Sequence, residues 1–164
     1  MARDNTSDDK ALREHVVKLL KGGEAHADFA VAIADFPGEV RGKTPKGAEH
    51  SPWQLLEHMR IALEDLVDFS TNPGYKAHEW PKDYWPEEDA PPDPKAWDRS
   101  VHAYCQALEA MSKLVEDPGT DLFARIPHGD GQTILREALV AADHNAYHLG
   151  EMVLLRRLLG AWKS

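Results

Sequence analysis

The chain has 164 residues, 42% of them hydrophobic, and a formal charge of -9 at pH 7. That length fits one domain over residues 1–164 with enough chain to bury a core, and the acidity argues against nucleic acid or an anionic membrane as the main partner. No apolar run reaches membrane-spanning length, residues 1–9 are polar and unlike a signal peptide, and the single cysteine, Cys105, allows no internal disulfide, so a cytoplasmic location is the default.

The spacing predicts a first helix from about Asp8 to Asp35. Leu12, Val16, Leu19, Gly23, His26, Ala30 and Ile33 alternate by four and three along one face. Ser7 stands where an N-cap belongs. Gly22-Gly23 weakens the middle by roughly 1 kcal/mol per glycine relative to alanine, and marks a kink, a break or a close approach to the backbone. Phe36-Pro37-Gly38 ends the segment, and residues 39–50 read as a loop.

The second helix has a clear start. Ser51 caps it, Pro52 takes the first helical position and Gln54 completes a capping box. It runs to about Ser70 on a stripe of Leu56, Met59, Leu63 and Leu66, and Asn72-Pro73-Gly74 stops it. Residues 73–94 hold six of the eleven prolines, with Trp80, Tyr84 and Trp85 among them. Such a stretch cannot be a regular helix. It reads as a strap packed on the bundle, long enough to let the second and third helices run parallel, rather than as a lid. The third helix, from about Pro94 to Glu116, carries Trp97, Val101, Tyr104, Leu108, Met111 and Val115 in step. Cys105 reads there as a packed thiol. The fourth runs from about Thr133 to Leu159. The expected fold is an all-α four-helix bundle with a long crossover between helices two and three.

His144 and His148 lie four apart on the fourth helix, so both imidazoles project from one face. Glu151 and Leu155 share that sector, which turns the pair inward or into a cleft. His58, at the edge of the apolar face of the second helix, can look into the same end of the core. Three imidazoles from two helices give the ligand count of an open, catalytic zinc-type site. The plainer readings are polar decoration or core histidines satisfied by carbonyls. Asn145 stands where the zinc-protease pattern H-E-x-x-H needs its glutamate, so peptide hydrolysis is disfavoured. Glu151 can orient a ligand or water, or pair with Arg60; Glu57 points about 100° away from His58. His26 reads as a packing residue in the stripe of the first helix, or as a group behind a ligand or facing substrate. His15, His78 and His102 read as surface residues, His50 as part of the turn before Ser51, and His128 as a residue lining an entrance.

Ser51-Pro52-Trp53-Gln54-Leu55-Leu56-Glu57-His58 and Asp143-His144-Asn145-Ala146-Tyr147-His148-Leu149-Gly150 resemble the DinB-like superfamily of small four-helix bundles. The likeness runs from Gly22-Gly23 to Arg157. It implies a divalent metal, zinc or nickel, held by His58, His144 and His148; Glu151 and His26, from their positions above, are the candidate catalytic residues, behind a ligand or facing substrate. It implies a long second connection and homodimers, which are common in the family. It implies a metal-dependent enzyme that activates a low-molecular-weight thiol for S-transfer on a small-molecule substrate. Activation of water, as in a hydrolase, is the chemical alternative, and a non-catalytic metal-binding or dimerising stress-response bundle is the other. Family members that act as maleylpyruvate isomerases usually carry a further C-terminal domain, so that activity is disfavoured.

Overall fold

The computed structural model describes residues 5–162, with side chains from residue 7. Five α-helices follow one another: α1 (Asn5–Lys21), α2 (Phe29–Ile33), α3 (Pro52–Thr71), α4 (Ala96–Glu116) and α5 (Ile134–Leu158). Among the described residues there is no strand, and the one isolated β-bridge joins Arg125 and Thr133. The chain is an all-α bundle of four long helices, as its periodicity predicts.

The predicted first helix is broken in two. Gly22 and Gly23 adopt φ of 72° and 86°, a left-handed conformation that costs a residue with a side chain about 1–2 kcal/mol. The chain leaves α1 there and re-enters helix only when Asp28 accepts the Val31 amide to cap α2. The helical phase does not carry across this break. His26 consequently lies exposed in the bend and not in a core stripe. Leu19 is 55% exposed, because Arg13, Val16, Val17 and Leu20 form the inner face of α1. Ser7 lies inside α1, which already runs from Asn5.

The start of α3 follows the sequence closely. Ser51 Oγ accepts the Gln54 amide at 3.2 Å, and Gln54 Oε1 accepts the Ser51 amide at 3.0 Å. The same two residues fasten the end of the strap: Ser51 Oγ donates to the Asp89 carbonyl at 2.5 Å and Gln54 Nε2 to the Asp89 carboxylate at 2.9 Å. Leu55, Leu56, Met59 and Leu63 are each at most 2% exposed, a burial that contributes about 1.5–3 kcal/mol per side chain.

Helices α1 and α3 each pack against both α4 and α5, so they face one another across the bundle. Trp53 and Glu57, near the start of α3, line one cleft with Ala96 and Ser100, near the start of α4, so these two helices run the same way. Residues 72–95 return along α3 to make that possible. Helix α5 runs against α3: the Phe69 carbonyl, late in α3, meets His128 just before α5 begins. Cys105 is exposed on α4. It follows buried Tyr104 by one residue, about 100° around the helix, which turns it out of the core.

Two arginines tie the ends of helices together. Arg13 donates to the carbonyls of Val115, Asp117 and Thr120 at 2.8–2.9 Å, and Arg156 donates to those of Ala32 and Ala34 at 2.9 and 2.6 Å. Carbonyls at helix ends have no partner inside the helix, and these guanidinium groups supply one.

Candidate metal centre

The cap at Ser51 fixes where α3 begins, and that phase puts His58 on the buried face beside Leu55, Met59 and Ala62. On α5, Ala138, Ala141 and Ala142 are buried, and their small side chains let neighbouring helices come near. Three imidazoles meet in that contact. The His144 and His148 rings are 4.4 Å apart, and the His58 ring lies 4.9 and 4.7 Å from them. One nitrogen of each lies within 4.8 Å of the others. His58 is 3% exposed and His148 8%; His144 is half-buried.

The remaining ring nitrogens fix which atom each histidine offers. His58 Nδ1 lies 3.0 Å from the Tyr84 carbonyl oxygen. A carbonyl only accepts, so Nδ1 carries the proton and Nε2 keeps its lone pair. His148 Nδ1 lies 2.5 Å from Glu151 Oε2, and the same argument frees its Nε2. A metal-ligating histidine is held in this way when its far nitrogen donates to a carbonyl or carboxylate. His58 Nε2 and His144 Nε2 face each other at 3.0 Å; two nitrogens this close share either a proton or a cation. Burial pushes both rings down to about 4, with His148 nearby adding to the shift. At neutral pH both are uncharged, the form that coordinates metal. The cluster could hold a metal ion, and its three neutral nitrogen donors leave further coordination positions open.

The other expected site residues divide. Glu151 sits on His148 and not on Arg60, whose guanidinium is held by Glu57 at 2.9 Å and Glu64 at 2.6 Å. Glu57 is thereby turned away from the centre. His26 is no part of the cluster; its Nδ1 lies 2.9 Å from the carbonyl of the adjacent Ala27, in the bend made by the glycine pair. His128 lies beside Phe69 and Tyr75, near the other end of α3 from His58, and so lines no entrance to the centre. His15 and His102 are exposed, as their positions predict. Asn145 is 3% exposed, and neither of its carboxamide atoms has a hydrogen-bond partner within the protein.

Sequence reasoning missed the strap's part in the centre. Trp85 stacks flat on His58 at 3.9 Å, and His50 stacks on the other contact surface of Trp85 at 3.8 Å. His50 therefore does more than shape a turn. Tyr84 supplies its carbonyl to His58 and its hydroxyl to Asp65 at 2.6 Å. The one available signal was the run of aromatics between prolines. Two further rings stand largely in solvent at the edge of the cluster. Trp80, 68% exposed, presents edgewise to His58, and Tyr147, 67% exposed, to His148.

A sequence model of the DinB superfamily matches residues 23–152, a span that includes all three histidines. No curated protein and no solved structure matches the chain. Among the described residues, no helix is long and apolar enough to cross a membrane.

Proposed function

This chain belongs to the DinB superfamily, and on that premise we propose that it is a metal-dependent enzyme. His58, His144 and His148 hold one divalent cation, zinc or nickel, and the site activates a low-molecular-weight thiol for S-transfer to an electrophile. The observation that carries this reading is the convergence of three imidazoles within 4.8 Å, two of them with Nδ1 committed to an acceptor. A divalent cation bound by three neutral ligands keeps its charge and lowers the pKa of a thiol or of water beside it.

The chain's own residues do the rest. The Tyr84 carbonyl and the Glu151 carboxylate orient His58 and His148, so Glu151 positions a ligand and is not itself a base. Trp80 and Tyr147 offer apolar surface at the edge of the cluster, which suits an aromatic or aliphatic electrophile. In the transfer the thiol gives up its proton, sulfur bonds to the electrophilic carbon, and the leaving group departs and takes up a proton. Water in place of the thiol gives the hydrolase variant of the same chemistry.

Calorimetric titration of untagged, metal-stripped protein with Zn²⁺ and Ni²⁺ tests the site: about one ion per chain is expected, and loss of that binding in His144→Ala. A screen of thiols against aromatic and aliphatic electrophiles then tests the activity. Turnover by loaded protein that vanishes in His58→Ala supports it; binding without any turnover makes the bundle a non-catalytic metal protein.

A further inference from the structure

Residues 72–95 do more than connect α3 to α4. Asp65 lies seven residues after His58, two turns along the same face of α3 and about 10 Å away. Its carboxylate accepts two hydroxyls from the strap, Tyr75 at 2.9 Å and Tyr84 at 2.6 Å, and His78 Nε2 lies 3.8 Å from it. Tyr84 thus touches α3 at two places. Its hydroxyl donates to Asp65, and its carbonyl oxygen accepts the hydrogen bond from His58 Nδ1–H. The next residue, Trp85, lies flat against the same imidazole, with an interplanar angle of 0°.

We propose that Asp65 is a positioning residue for the metal centre: by holding the Tyr84 hydroxyl it seats the carbonyl that selects the Nδ1–H tautomer of His58, leaving Nε2 as the ligand. The inference rests on the metal reading above for its purpose, but its geometry does not require the ion. A free imidazole interchanges its two neutral tautomers, and only one of them offers Nε2. An acceptor held at Nδ1 removes that freedom and makes the ligand more basic. The acceptor here is backbone, so no side-chain change can delete it directly. It can only be unseated, and the hydroxyl bond to Asp65 is the contact that Tyr84's own side chain makes to hold it, beside the stacking of Trp85 on His58 and His50. Burial and the bond to Asp65 push the Tyr75 hydroxyl up to about 12 and Tyr84 upward as well. Both hydroxyls therefore remain donors across the neutral range.

The decisive measurement uses metal-free protein. Ring ¹⁵N shifts report which nitrogen of His58 carries the proton, with His58→Gln to assign the signal. Wild type is expected to show Nδ1 protonated. Tyr84→Phe keeps the carbonyl and the ring but loses the hydroxyl, and Asp65→Ala loses both clamps. Each should give averaged tautomer shifts at His58 and a Zn²⁺ affinity about tenfold lower, with helical circular dichroism unchanged. Asp65→Asn, which keeps an acceptor oxygen, should recover much of both. If Asp65→Ala does not fold, Tyr84→Phe decides alone. A wild-type His58 protonated at Nε2, or a variant that keeps a pure Nδ1–H tautomer and full affinity, overturns the proposal. A wild type that binds no Zn²⁺ overturns the metal reading instead, while the tautomer result still decides the role of Asp65.

Discussion

Acidifying the metal-free protein should weaken its fold before most carboxylates titrate. His58 and His144 have an ordinary value of 6.5, and burial holds both down to about 4 in the folded chain. Between those values the unfolded chain binds more protons than the folded one. Stability is then fully present above about 6.5 and falls as pH falls through the window. Each ring sets a slope that averages roughly 1 kcal/mol per pH unit across this window, so the pair loses about 3 kcal/mol between 6.5 and 5. His144 is only half-buried, and solvent screening reduces the loss to about 2 kcal/mol. That is a sizeable part of the 5–15 kcal/mol typical of a domain. Urea unfolding midpoints at about pH 7.5, 6.5 and 5 measure it, with His144→Asn expected to remove about half the acid loss and His58→Asn/His144→Asn nearly all of it. A double variant that loses as much stability as wild type over that range would refute the assignment to these rings.

Replacing the acceptor on the other ligand, in Glu151→Leu, should lower Zn²⁺ affinity about 10–100-fold with the bundle intact, read by competition with a chelating dye. Gly22→Ala should lower the thermal midpoint by the equivalent of about 1 kcal/mol, because its φ of 72° is unfavourable for alanine although the surrounding space admits a methyl group. Arg156→Leu strips the donors from the Ala32 and Ala34 carbonyls; a loss of about 3 kcal/mol by urea denaturation is expected, and a loss within error of zero would remove that residue from the structural account.

Elements set by local rules were legible in the sequence. The cap and box at Ser51, Pro52 and Gln54, the stripes of α3 and α4, and the facing of His144 and His148 all follow from contacts within a few residues. His58 was legible because its phase is counted from that cap. The first helix misled because a face was counted through two glycines whose left-handed φ values end it; His26 was carried into the core by that count. Leu19 and Cys105 show the narrower limit of the method: one residue of helical rotation separates core from solvent. The role of Asp65, Tyr84 and Trp85 had no such signature. A strap without a repeating period takes its path from contacts with a helix it left many residues earlier, and only the folded chain brings that carbonyl to His58.

The His58 and His144 nitrogens that face each other belong to residues 86 positions apart. A nascent chain carrying only α3 therefore has one donor, and even the α5 pair offers no more than two. On the proposed metal reading, three-fold chelation needs the assembled bundle, so tight ion uptake would accompany folding and would report that the chain has reached its native state.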